Sequence, residues 1–256
     1  MKSLIETVKR MSVKSKVNGN AINFLDNTHV DPGCQLIREK MNTISLDQLG
    51  VKGPDDPYHF QQRLNRITIE GSDDYRLVLF FIKKGTRMPL HDHPNMCVFF
   101  RMMFGKLNYR GYDKLDEKFR YNKFSLDEYH ELLDQKKRIA AKVSMRAMLH
   151  GPQFMMVRPS TNNLHEFIAE ENTCFFDICL PNYTSDSLRR ITYFKEVDAA
   201  VSEVDKLGID PTTLADSTLS RSGTLEGLRF LEYDSTPPRL PVDFQVADLP
   251  YIGEMK

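Results

Sequence analysis

Apolar positions near the start of the chain recur at helical spacing. Leu4, Ile5, Val8 and Met11 share one face of the basic segment MKSLIETVKRMSVKSK, which predicts a packed amphipathic helix. Helices and loops are expected through about residue 70. Within them, TISLDQLG (43–50) offers a Ser-x-x-Gln capping pair and a terminal glycine, the marks of one or two helical turns. From about Tyr75 the texture changes. YRLVLFFIKK is a continuous apolar run that stops at Gly85, and CVFFRMMFG and KLNYRGYDKL follow with Gly105 between them. RAMLHGPQFMMVRP, NLHEFIAE, NTCFFDICLP and ITYFKEV continue as short strands divided by Gly, Pro, Asn or Asp. Many short strands so spaced predict an antiparallel barrel or sandwich. A polar insertion at 114–139 interrupts them. Ser125 and Glu128 form a capping box there, and Leu126, Tyr129, Leu132 and Leu133 predict a helix laid outside the barrel. The tail from 205 mixes DPTT, STPPRLP and a few apolar anchors. It reads as a wrap around one domain spanning 1–256, with a helical lead-in at 1–70 and a barrel core at 75–200.

Composition narrows the classes. Of 256 residues, 41% are hydrophobic and 27% charged, as in an ordinary globular chain. Lys+Arg and Asp+Glu both number 35, so the basic excess of a nucleic-acid binder is missing. No apolar run reaches the length of about 20 residues that spans a bilayer. The balanced charge fits a monomer. Cys34, Cys97, Cys174 and Cys179 form no C-x-x-C pair, and reduced thiols in a cytoplasmic protein are the simplest expectation. The basic N-terminus keeps a mitochondrial presequence open, with Glu6 against it.

Candidate chemistry lies in MPLHDHPNMCVFF (88–100). His91 and His93 are two apart, so on a strand their rings share a face. Gly85 stands six residues before His91 and Gly105 twelve after His93. This resembles the first motif of the cupin barrels: Gly, five residues, His-x-His, four residues, an acid, six residues, Gly. The acid position here holds Val98, and His165 in NNLHEFIA fits the later histidine of the pattern. Three imidazoles on one barrel face suit Zn, Cu, Fe or Ni and leave coordination positions open. With no carboxylate the ion keeps its full charge and favours an anionic ligand such as a thiolate.

PLHDHPNM, FGKLNYRGYDKLD, NNLHEF, CFFDICLPNY, the lead-in CQLIREKMNTISLDQLGV and, faintly, PYIG near the C-terminus together resemble the thiol dioxygenase family of plant cysteine oxidases and cysteamine (2-aminoethanethiol) dioxygenase. The resemblance covers most of the chain, least at 114–139. It implies a cupin-type double-stranded β-helix and a non-haem Fe(II) enzyme that adds both atoms of O2 to a thiol. The implied substrate is a small aminothiol or a protein N-terminal cysteine. In the second case the sulfinic acid feeds the arginine N-degron pathway and the enzyme serves as an oxygen sensor. His91, His93 and His165 fall on the family's iron ligands. Asp177 and Tyr183 match the acid and tyrosine of its D-I-L-x-P-P-Y segment, here DICLPNY with Cys179 and Asn182 as departures. A cysteine two residues before a later tyrosine in many members is replaced by Ile191, ahead of Tyr193.

From the residues alone, strand alternation puts Phe175, Asp177 and Cys179 on one face. A carboxylate in so apolar a strand either enters a polar pocket or meets a basic partner. Tyr183 reads as packing with its hydroxyl at the surface, and is carried as a candidate one step behind the ligands. His150 reads as a surface turn, Asp92 as a surface or turn contact, and Cys97 as a small buried residue bordering the site. The methionines read as core filler. Two other readings stay open: a cupin metalloenzyme of different chemistry, such as a Zn or Mn isomerase, and a metal-binding cupin with only a regulatory role. The width of the cavity mouth, expected to follow loops 114–139 and 181–190, decides between small thiol and peptide.

Overall fold

A computed structural model describes residues 1–17, 21–135, 137–184, 189–197, 227–234 and 246–253. Three helices lead: α1 (Lys2–Val17), α2 (Ala21–Asp26) and α3 (Pro32–Thr43). Asp31 caps α3 by accepting from the Gly33 and Cys34 amides, with Pro32 in the first turn, where a missing N–H costs nothing. Ser45 and Gln48 then bond reciprocally, side chain to backbone, at 2.9 and 3.3 Å, and start a 3-10 turn at Asp47–Leu49. Gly50 ends it at φ 72°, where a Cβ would lie 2.8 Å from the Gly253 amide nitrogen. The C-terminal segment therefore packs directly against this turn.

Strand β1 (Leu64–Ser72) follows, then β2 (Tyr75–Ile82), β3 (Arg87–Asp92), β4 (Cys97–Phe104) and β5 (Lys106–Lys114). After α4 (Glu117–Arg120) and α5 (Leu126–Asp134) come β6 (Arg138–His150), β7 (Gln153–Val157), β8 (Leu164–Ala169) and β9 (Thr173–Leu180). The described strands end with β10 (Tyr193–Val197), β11 (Leu228–Asp234) and β12 (Val246–Asp248). One sheet runs β12-β1-β2-β9-β4-β7, and the other, β10-β11-β6-β5-β8-β3, closes on itself. They make the cupin-type jelly roll that the sequence motif implies. The joint of the closed sheet is one residue pair, Tyr193 opposite His91, beside a 3.1 Å bond from the Asp92 amide to the Thr192 carbonyl.

The apolar run in β2 is continuous because that strand is buried on both faces. Leu77, Leu79 and Phe81 pack outward with Leu4, Ile5, Val8, Ile37 and Met41 of the helices. Ile82 packs inward with Phe100, Met102 and Phe175, against Leu107 and Phe167 of the closed sheet. Gly105 turns β4 into β5 at φ 89°, and a Cβ there would meet Asn172 O at 2.6 Å. Only glycine fits such a turn.

Two features differ from the sequence reading. β1 begins at Leu64, inside the stretch read as helix and loop. Ile67 and Ile69 alternate into the core under the helices, but Arg66 and Thr68 take the other face of the strand and weaken the apolar pattern. In the tail, 228–234 form β11 between β6 and β10, and 246–248 pair in parallel with β1, while 205–226, 235–245 and 254–256 lie outside the described residues. The insertion helix matches its expectation: Ser125 and Glu128 complete the capping box of α5. No helix among the described residues is long and apolar enough to cross a membrane.

Candidate metal centre

His91 is the last residue but one of β3, and its direct cross-strand partner on β8 is His165, so both rings leave the sheet on one face. His93, just beyond β3, turns to the same place. The ring centroids lie 4.6 to 4.9 Å apart, and one nitrogen from each ring lies within 4.8 Å of the others. Nδ1 of His91 meets the Pro89 carbonyl at 2.8 Å, and Nδ1 of His93 meets the Asn163 carbonyl at 2.9 Å. A carbonyl only accepts, so both Nδ1 atoms carry protons and both Nε2 atoms present lone pairs. Asn163 also donates from Nδ2 to the His93 carbonyl at 2.7 Å, which fixes that residue twice.

All three rings are buried and favour the neutral form. Burial lowers the pKa of His91. It pushes His93 down to about 3, aided by His91, and drives His165 well below the usual range, aided by its two neighbours. Neutral imidazole is the form that ligates a metal. No carboxylate joins the cluster among the described residues. Val98, in the place of the motif's acid, packs instead with Met96, Val157 and Cys179. Three convergent neutral nitrogens fit a divalent transition metal and leave open positions around it.

The cluster walls a cavity of about 300 Å3 between the sheets. Asp177 enters from β9 on the same face as Phe175 and Cys179, as alternation requires. Its Oδ1 is buried without a hydrogen-bond partner, and burial raises the carboxyl pKa well above the ordinary range. The pocket alternative thus describes it, and the basic-partner alternative does not. Tyr183 also borders the cavity. Its hydroxyl does not reach the surface but donates to the Asp92 carbonyl at 2.7 Å, with the ring 5.7 Å from His93.

Asp92 corrects another expectation. It does point away from the two histidines, but that face is closed by the insertion and β11. It is buried, 2.9 Å from Lys114 Nζ, and Oδ1 accepts the Thr192 amide at 3.1 Å. Thr192 Oγ1 in turn bonds the Tyr129 hydroxyl of α5. Cys97 does not border the site: its thiol contacts Thr28 Oγ1 at 3.2 Å beneath the helices. His150 is exposed, in line with a surface role. No described residue of 114–139 lines the cavity, whereas Asn182, Tyr183 and Ile191 do. Residues 185–188 of the second mouth loop lie outside the described residues.

The sequence reading missed Arg76 and Tyr193 as cavity residues. Tyr193 pairs with His91 across the joint, its ring 6.4 Å away, and the ITYFKEV strand marks it only as one strand residue among others. Tyr109, 5.2 Å from His165, is buried with no partner for its hydroxyl. Its place in the alternating KLNYRGY segment is its only signal.

The PCO_ADO family model matches residues 37–254, most of the chain and the whole of this site. The chain belongs to the PCO_ADO family. It is 28% identical to human 2-aminoethanethiol dioxygenase over 50% of this chain and 50% of that protein. To plant cysteine oxidase 1 of Arabidopsis thaliana it is 26% identical, over 64% of this chain and 50% of that one. A probable 2-aminoethanethiol dioxygenase of Dictyostelium discoideum is 24% identical, with 55% and 59% covered. The chain thus spans about half the length of the first two relatives. An RmlC-like cupin from Desulfovibrio desulfuricans overlays 51% of this chain and 93% of its own at a TM-score of 0.32, with 13% identity.

Proposed function

We propose that this member of the PCO_ADO family is an iron(II) thiol dioxygenase that converts an aminothiol, or the N-terminal cysteine of a peptide, to its sulfinic acid. The observation that carries the reading is the trio of neutral histidines without a carboxylate, on the wall of a cavity that also holds a free buried acid. His91, His93 and His165 are the proposed ligands. A bound iron(II) supplies the redox chemistry with O2 and a positive charge that favours the thiolate of the substrate. Thiol and O2 together account for every atom of the sulfinic acid, so no further reductant is needed.

The chain's own groups do the rest. Three neutral ligands would leave the charge of a bound ion unneutralised, an environment that would favour an anionic sulfur. Asp177 has a free oxygen inside the cavity and holds the ammonium of the aminothiol, a contact that returns the carboxyl to its charged form. Phe80, Met88 and Phe175 make the walls apolar and exclude water. Tyr183 steadies the peptide between the two ligands through the Asp92 carbonyl. With a protein N-terminus as substrate, the rate of this reaction reports oxygen supply.

The test is direct. The purified chain, loaded anaerobically with iron(II), is given cysteamine and, separately, a Cys-initiating peptide, and then exposed to O2. Oxygen uptake with gain of two oxygen atoms on the thiol is the expected result. No uptake with either thiol would overturn the reading and leave a metal-binding module.

A further inference from the structure

Arg76 is the second residue of β2 and lines the same cavity as the three histidines. Its cross-strand partner on β9 is Cys179, two residues from Asp177 on the same face. Arg76 and Asp177 are therefore diagonal neighbours, with starting points roughly 7–8 Å apart on one wall. The guanidinium is half-buried and donates from Nη2 to Thr68 Oγ1 at 2.6 Å. Among the described residues its other donors meet no acceptor, and it has no carboxylate partner. The nearby Arg66 is different: it forms a two-pronged pair with Asp248 at 2.6 and 2.8 Å and is neutralised by it. The edge of the cavity thus carries a guanidinium fork whose nearest carboxylate, Asp248, is hydrogen-bonded to Arg66 instead, beside an acid with an unpartnered oxygen.

We infer that Arg76 is a specificity-determining residue that receives a carboxylate of the thiol substrate, so that the cavity prefers a carboxylate-bearing aminothiol to cysteamine. This rests on the thiol dioxygenase reading above. A short acid and a long base on adjacent strands converge on one bound molecule, the acid on its ammonium and the base on its carboxylate. A guanidinium fork matches a carboxylate in two parallel hydrogen bonds. The carboxylate has two possible chemical sources: the α-carboxylate of free cysteine, or an acidic side chain next to an N-terminal cysteine.

Anaerobic calorimetric titration of the iron(II)-loaded protein separates the cases. The ligands are L-cysteine, its methyl ester and cysteamine, together with amidated Cys-Glu and Cys-Gln peptides. L-cysteine is expected to bind about tenfold or more tightly than its ester, in line with a charge-assisted hydrogen bond. Arg76→Gln should bring cysteine down to the affinity of the ester, while Arg76→Lys restores part of the gap. If the gap appears between the two peptides instead, the side chain of the second residue is the source. Equal binding within both pairs, or a gap that survives in a folded Arg76→Gln protein, overturns the proposal. Oxygen uptake on the same samples keeps the two claims apart. Turnover without any carboxylate preference sinks only the Arg76 assignment. A carboxylate preference without turnover of any thiol keeps that assignment and sinks the dioxygenase reading.

Discussion

A carboxylate buried without a partner destabilises the protein that carries it, and Asp177 is such a group. Its pKa is raised, so the folded protein holds a proton that the unfolded chain releases above about pH 4. Asp177 therefore weakens the fold at neutral pH and ceases to do so below that point, where both states are protonated. Asp177→Asn should raise the thermal midpoint of the metal-free protein at pH 7, with the gain vanishing near pH 3.5. The same change should cut turnover about a hundredfold while iron stays bound, through loss of substrate alignment. Near-normal turnover in a correctly metallated variant would remove Asp177 from the site. Tyr183→Phe deletes one hydrogen bond, an expected loss of about 1 kcal/mol in urea unfolding. His91, His93 and Asp177 are legible in the sequence because the strand period of two assigns each a face. Arg76 is not. Second in YRLVLFFI, it carries no signal of its own, and only the register of β2 on β9 places it toward the cavity.

Among the elements, β3 carries the proposed ligand His91 on one face and Asp92 on the other, with His93 just beyond its end. Lys114 at the end of β5 neutralises Asp92 in a fully buried pair. Lys114→Met leaves the Asp92 carboxylate unpaired and should cost about 3–5 kcal/mol of stability, measured by urea unfolding. Asp92 stands between His91 and His93, so the variant should also bind metal more weakly in a competition titration. A stability change under about 1 kcal/mol would show that the pair is solvated rather than buried. α5 joins this arrangement through Tyr129 and Thr192, which gives the insertion a structural role behind the ligands rather than at the cavity mouth. The insertion helix is legible from its capping box and its periodic leucines. β12 is not legible: three residues become a strand only because β1 offers them an edge, a fact of tertiary structure.

For the molecule as a whole, the metal-free protein should be acid-sensitive. The buried histidines resist protonation in the folded state but accept protons near pH 6.5 once unfolded. Stability is therefore present above that pH and lost as pH falls toward about 3, the folded value of His93. The lowered pKa of buried His59 acts in the same sense as the three histidines, while the raised pKa values of Asp177 and Asp113 act against it. Unfolding below about pH 6.5 should then take up protons net, so the thermal midpoint should fall as the pH falls. The thermal midpoint against pH measures this slope, and bound metal should flatten it.

The closed sheet is joined at one residue pair, and one member of that pair, His91, is a proposed ligand. An ion there would act as a rivet through the thinnest place in the wall, fastening β3 to β8 directly beside the seam with β10. Removing it should loosen the ring locally before the rest of the fold yields. Amide hydrogen exchange would register this as faster exchange around Asp92 and Thr192 after chelation, while β2 and β9, buried between helices and cavity, keep their protection.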